Sequence, residues 1–310
     1  MNFLIVGGAG SVGRDVSASL LEKGHRVRIL DRQTEASPAR QDPNMESIRG
    51  NLEAPALVHE ALQGVDTVIH LAWSFSEDPV ELLESDLKGH VVLLEACAGA
   101  KVSRFFYAST AVVYGKPVQV PITEDAPCHA EDARKPFYAV AKLAAEKFAL
   151  AYCKTRGLPV TVIRFWWSFG KKIGGRHLRD MITLAQSGQP LEVPDGAGGS
   201  FLDHEDLTHA LLLAMQEHAS IGQVFNLATI YLEWREIARM IMDVTGSSSR
   251  VEVVPARQWR GAQFLADPWE LSVAKAERLL AYRSRFSPSI ARRSLETAIA
   301  LYREDLKGRS

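Results

Sequence analysis

The chain reads as a doubly wound α/β protein, a parallel sheet with helices on both faces, carrying a small and mostly helical cap near its C-terminus. Two observations predict this. Short β-branched or aromatic runs alternate with amphipathic helical stretches through the first half. The runs are almost continuously apolar, as strands covered on both faces must be. A third observation is local: a strand, a glycine-rich turn and a helix open the sequence.

The expected strands are Phe3–Val6, Val27–Leu30, Thr67–Leu71, Phe105–Ala108, Val160–Phe165 and Val224–Leu227, with helical patterns near 13–23, 54–63, 79–98 and 136–156. Asp78-Pro79 can cap and start the third helix. Pro136 can open the fourth and Gly157 close it, with Phe137, Ala141, Ala144, Phe148 and Ala151 on one stripe. Asp31–Glu46, polar and holding Pro38 and Pro43, reads as a loop, and so does the glycine-rich stretch Asp195–Ser200. Beyond about 230 the pattern turns mostly helical, with one short strand at Val251–Val254. The expected organisation is a dinucleotide-binding domain at 1–168, with 201–229 returning to it. Residues 169–200 and 230–310 form the substrate-binding cap.

Composition narrows the function. Lys+Arg number 36 against Asp+Glu 37, and no basic stripe stands out, so nucleic acid is not an expected partner. The three cysteines are scattered, without metal-ligand or disulfide spacing. The N-terminus is a strand rather than a signal segment, and no apolar run approaches the roughly 20 residues of a membrane span. A cytoplasmic protein is expected.

The opening turn carries the first chemistry. Gly8-x-Gly10-x-x-Gly13 fits the dinucleotide fingerprint, and Gly7-x-x-Gly10-x-x-Gly13 fits its shorter-chain variant. Such glycines permit a tight turn and close approach of backbone to a pyrophosphate, which the N–H groups at the helix start (Ser11, Val12, Gly13) receive. Asp31 ends the next strand, about 20 residues on, where a carboxylate can accept from a ribose 2′-hydroxyl and repel a 2′-phosphate. That favours NAD over NADP, a choice Arg32 softens. Asn51-Leu52 can meet the adenine, or can simply make a turn. A Rossmann-type cofactor domain follows from this set.

Tyr138 and Lys142, four apart on one helix, carry the second. A tyrosine titrates near 10. An ammonium one turn away favours the phenolate, and useful acid–base work needs a pKa near working pH. Ser109 and Thr110 follow the strand Phe105–Ala108, where ligands of open parallel sheets bind. A hydroxyl there can steady a substrate oxygen or cap backbone. The aromatic run Phe165, Trp166, Trp167 and Phe169 packs the core or, at Trp167 or Phe169, lines a substrate pocket. Trp73, Ser74 and Phe75 can wall the same pocket. Asp203-His204-Glu205-Asp206 caps the following helix rather than binding metal.

Together these residues resemble the extended short-chain dehydrogenase/reductase superfamily, the NAD-dependent epimerase/dehydratase group. The resemblance runs through Gly7–Gly13, Asp31, His70-Leu71-Ala72, Ser109–Gly115, Tyr138 with Lys142, Arg164 and Asn226-Leu227-Ala228. It implies Thr110 as the catalytic hydroxyl, Tyr138 as acid/base and Lys142 as the ribose-holding cation. It implies His70, Leu71 and Ala72 along the adenosine and diphosphate, with Trp73 beyond them, and Ser109, Tyr114 and Trp167 toward substrate. It also implies a homodimer paired through the helices near 86–98 and 136–156. Trp167 and Gly199 stand where relatives that bind nucleotide-sugars carry asparagine and arginine, which counts against such a substrate. Ala111 and Val112 replace the acid pair of the dehydratases. The expected activity is NAD-dependent oxidoreduction of a secondary alcohol or ketone on a polyhydroxylated or sugar-like molecule. The alternatives are sugar epimerisation and a non-catalytic NAD(P)-sensing regulator.

Overall fold

The computed structural model describes residues 1–33, 42–171, 173 and 175–307. In chain order the first half contains β1 (Asn2–Val6), α1 (Ser11–Glu22), β2 (Arg26–Asp31), β3 (Met45–Arg49), α2 (Pro55–Ala61) and β4 (Thr67–His70). A short α3 (Pro79–Glu81), a π turn at Leu82–Leu87, α4 (Lys88–Ala100), β5 (Arg104–Ala108) and α5 (Pro136–Arg156) follow. The second half comprises β6 (Val160–Arg164), β7 (Trp167–Phe169), α6 (Arg176–Gln186), β8 (Leu191–Pro194), β9 (Gly198–Asp203) and α7 (His204–Gln216). It closes with β10 (Gln223–Asn226), β11 (Ile230–Glu233), α8 (Trp234–Thr245), β12 (Val251–Val254), β13 (Pro268–Trp269), α9 (Ala274–Leu280) and α10 (Pro288–Lys307).

Seven parallel strands form the main sheet in the order β3-β2-β1-β4-β5-β6-β10. The direction of winding reverses between β1 and β4, and the crevice beyond their C-terminal ends is where such sheets bind ligands. Each face of the sheet has its own core. Leu4, Val68, Phe105 and Val162 pack toward α4 and α5, and Phe3, Ile5, Ile69 and Phe225 pack toward α1 and α7. This is the period-2 division of one strand between two helical layers. A third core gathers Phe169, Phe201, Trp234, Trp269 and Ile299 around β7, β9, α8 and α10.

Asp78 caps α3 through Val80 N and Glu81 N, Pro136 stands in the first turn of α5, and Gly157 ends it in the left-handed conformation. Three expectations are corrected. The Asp31–Glu46 loop is shorter than expected, because Met45 and Glu46 begin β3, an edge strand paired with β2 (Pro38 lies outside the described residues). Gly198 to Ser200 belong to the buried strand β9, where Gly198 lies against the Leu232 backbone and Gly199 against the Trp166 ring. The region after 230 holds three strands as well as helices. On α5 the inner face is taken by Tyr138, Ala141, Lys142, Ala145 and Ala149, while Phe137, Phe148 and Ala151 are exposed. No described helix is long and apolar enough to cross a membrane.

Candidate active site

A cavity of about 660 Å³ opens over the C-terminal ends of β1, β4 and β5. At one end lie Gly7, Gly10, Ser11, Val12 and Gly13. Gly13 packs so tightly under the turn that a Cβ would sit 2.4 Å from the Gly7 carbonyl oxygen, and Gly7 itself turns with φ +84° against Ala72. Gly10, the N-cap of α1, has no side chain to satisfy the first-turn N–H groups, which leaves them to an anion. Asp31 is fixed by Ala9 N at 3.0 Å and Gln33 N at 2.9 Å, and it lines the cavity beside Arg32, Asn51 and Leu52. His70, Leu71, Ala72 and Trp73 form the floor between this end and the next. An uncapped helix start, a backbone cradle and an acid beyond it fit a dinucleotide.

At the other end Tyr138 and Lys142 both face inward and both are buried. Thr110 accepts from Val112 N at 3.2 Å, and its own hydroxyl is hydrogen-bonded to Tyr138. Lys142 Nζ donates to the Ala108 carbonyl at 2.6 Å, between the faces of Trp73 and Tyr107, each 4.5 Å away. Burial pulls its pKa down to about 7, against the opposing pull of Glu146 and Asp86.

The expected action of Lys142 on the phenol is corrected here. The Tyr138 hydroxyl stands above its ordinary range, first through burial and then through the Asp86 carboxylate, with only the Thr110 hydroxyl favouring the phenolate. The physical reason is that burial lowers the lysine's pKa to about 7, so its charge is lost before the phenol would ionise. Asp86, held by Ser74 N at 3.0 Å and by the Ser74 hydroxyl, sits in the π turn and was not legible from the sequence. A π turn displaces residues from the helical register that periodicity assumes.

Ser109 lines the cavity but donates to Glu146, which forms a buried two-pronged pair with Arg164 at 2.9 and 2.6 Å. Tyr114 does not reach the cavity. Its hydroxyl donates to Asn226 Oδ1 at 2.8 Å and its ring lies under the Arg164 guanidinium, so it serves as a support, not as a substrate contact. Trp167 does line the cavity, whereas Phe169 is fully buried in the core. Phe75 stacks on the Tyr138 ring at 5.5 Å and closes over it. Phe264, in a short helical turn, and Trp269, in β13, complete the wall from distant parts of the chain, for which the sequence offers no local signal.

A chain of hydrogen bonds runs behind the cavity. His204 Nδ1 meets Asp15 Oδ2 at 2.7 Å, and Nε2 meets Ser168 Oγ at 3.2 Å. Asp203, as expected, caps α7 through Glu205 N.

The model of the NAD dependent epimerase/dehydratase family matches residues 3–228. The UDP-glucose 4-epimerase of Corynebacterium glutamicum is 29% identical over 292 residues, 86% of this chain and 87% of that protein. The UDP-glucose 4-epimerase of Lactobacillus helveticus is 27% identical, over 86% of this chain and 88% of its own. Among solved structures, an epimerase of Methanothermobacter thermautotrophicus superposes with a TM-score of 0.82 at 25% identity, covering 99% of this chain and 93% of that one. The dTDP-glucose 4,6-dehydratase DesIV of Streptomyces venezuelae, solved with NAD, gives 0.80 at 25% identity and 98% of each chain.

Proposed function

The chain belongs to the NAD-dependent epimerase/dehydratase family of extended short-chain dehydrogenase/reductases, and from that premise we propose that it transfers hydride between NAD and a secondary alcohol or ketone carbon of a polyhydroxylated or sugar-like molecule. One observation carries the reading: Tyr138, Lys142 and Thr110 converge on one cavity with the glycine turn and Asp31.

Gly7, Gly10 and the N–H groups of Ser11, Val12 and Gly13 receive the pyrophosphate. Asp31, with Arg32 beside it, holds the adenine ribose, and Asn51 and Leu52 flank the base. Leu71, Ala72 and Trp73 line the middle of the cofactor, and Lys142 reaches the second ribose. NAD, when bound, supplies the carbon that accepts or returns hydride. Tyr138 takes the hydroxyl proton at its phenolic oxygen in oxidation and gives it back in reduction. Thr110 donates to the substrate oxygen as charge develops there. The nicotinamide's positive charge is the further influence that favours the phenolate in the oxidised complex.

The test is Tyr138→Phe. We expect NAD binding to persist by calorimetry while turnover falls at least about 100-fold. Unchanged turnover would remove Tyr138 from the mechanism. A second reading, sugar epimerisation, is favoured by the similarity to UDP-glucose 4-epimerases. The two part on absorbance: a dehydrogenase changes the reduced-cofactor band with each cycle, and an epimerase leaves it flat.

The proposal extends to organisation. Residues 1–168 and 201–229 serve as the cofactor domain, and 169–200 and 230–310 as the cap. The chain works as a cytoplasmic homodimer, pairing through α4 and α5 and the turn before them. Leu83, Phe137, Val140 and Phe148, all exposed, support that pairing.

A further inference from the structure

Among the described residues three acids line the cavity: Asp31, Glu53 and Asp86. Asp31 and Glu53 belong to the end formed by Arg32, Asn51 and Leu52, and Asp86 to the end that holds Tyr138 and Lys142. Asp86 is fixed there. Its Oδ1 accepts from Ser74 N at 3.0 Å and its Oδ2 from the Ser74 hydroxyl.

The chain neighbours of Ser74 say what this carboxylate faces. The Trp73 ring lies 4.5 Å from Lys142 Nζ, and the Phe75 ring stacks on the Tyr138 ring at 5.5 Å with 19° between planes. A carboxylate gripping the residue between them is close to both. The electrostatics agree: Asp86 helps to raise the Tyr138 hydroxyl and opposes the burial that lowers Lys142.

No cation of this end pairs with Asp86 among the described residues. Lys142 Nζ donates to the Ala108 carbonyl at 2.6 Å and sheds its proton near pH 7. Arg134, Lys135 and Arg176 make their contacts with the Phe264 ring, Phe75 O and Asp180. The cavity therefore offers one fixed negative charge beside the phenol.

Hydride and proton leave the same carbinol group. The carbon that gives hydride carries the oxygen whose proton goes to Tyr138, so the nicotinamide ring must lie against that carbon at contact distance. That brings the ring near Asp86. The ring is a cation in NAD+ and neutral in NADH.

We propose that Asp86 is the counter-ion of the oxidised nicotinamide: its fixed charge favours NAD+ over NADH at this site and makes the bound reduced cofactor a stronger hydride donor. The site is then biased toward returning hydride to a carbonyl carbon. In the cofactor-free protein the same charge keeps the phenol protonated, and the arriving cation offsets it. This inference rests on the hydride-transfer reading for the place of the ring.

The experiment measures dissociation constants of NAD+ and NADH by calorimetry, at one pH and salt concentration, for the wild type, Asp86→Asn and Asp86→Glu. Asparagine keeps the shape and can still accept from Ser74 N, but it carries no charge. Asp86→Asn should shift the ratio of the two constants about tenfold toward NADH, the scale of one unit charge acting on another in a partly desolvated site. For a two-electron couple that raises the potential of the bound cofactor by about 30 mV. Asp86→Glu keeps the charge and should hold the ratio within about threefold of the wild type. Should Asp86→Asn fail to fold by circular dichroism, Asp86→Ser reads the same loss of charge. A merely structural role would weaken both forms alike, and an unmoved ratio would overturn the proposal. So would an equal shift in Asp86→Glu. Binding of neither form by the wild type would overturn the proposal and the hydride-transfer reading together. Undiminished turnover in Tyr138→Phe would refute the proton step of that reading, with the ratio in Asp86→Asn still deciding this one.

Discussion

Replacing Lys142 with methionine should make the cofactor-free protein more stable, by a margin that is largest in acid and shrinks as pH rises above 7. Burial lowers the native pKa from 10.5 to about 7. At about 1.4 kcal/mol per pH unit, holding the ammonium inside costs about 5 kcal/mol below pH 7. That cost is already net of the aromatic faces and the Ala108 hydrogen bond, so the variant should gain several kcal/mol at pH 6. Above pH 7 the native lysine sheds its proton while the unfolded one keeps it up to about 10.5. The unfolded state then binds more protons, so wild-type stability rises with pH relative to the variant. From pH 7 to 9 the difference narrows by about 2.5 kcal/mol. Urea unfolding of both proteins at pH 6, 7.5 and 9 measures it, since groups common to both largely cancel. A difference that stays constant over that range would refute the placement of Lys142 in a desolvated site.

Arg164→Met strands the Glu146 carboxylate, which is fully buried. It should cost about 3–5 kcal/mol in thermal or urea unfolding, with Glu146→Gln added on top recovering much of that loss. Gly13→Ala places a Cβ 2.4 Å from Gly7 O. NAD affinity by calorimetry should fall at least about tenfold, a modest displacement of the turn being enough to spoil several N–H contacts. Asp31→Ser removes the carboxylate that meets the 2′-hydroxyl, so the ratio of NADP to NAD affinity should rise, by about tenfold or more for one charge-assisted hydrogen bond.

Local patterns carried what local chain makes. The turn at Gly7–Gly13 and its acid Asp31 are neighbours in one β-α-β unit, and Tyr138 and Lys142 share a face by helical period alone, so their common cavity was legible. Periodicity could not choose between two faces of α5 that are both rich in alanine; the fold buries Ala141, Ala145 and Ala149 and leaves Phe137 and Phe148 exposed. The resemblance implies Tyr114 toward substrate. Its partner Asn226 lies 112 residues away, beyond any local signal. Asp86 was hidden by the π turn, and Phe264 and Trp269 by distant parts of the chain that only the tertiary fold carries to the site. The effect of Lys142 on the phenol was misjudged because spacing reports proximity and not solvation.

The links Asp15–His204–Ser168 tie three parts of the molecule at one point. Asp15 rides on the helix whose first turn awaits the pyrophosphate, two residues past Gly13, and Ser168 adjoins Trp167. The two binding ends therefore share a brace. A displacement of α1 must either carry His204 with it or break the Asp15 link.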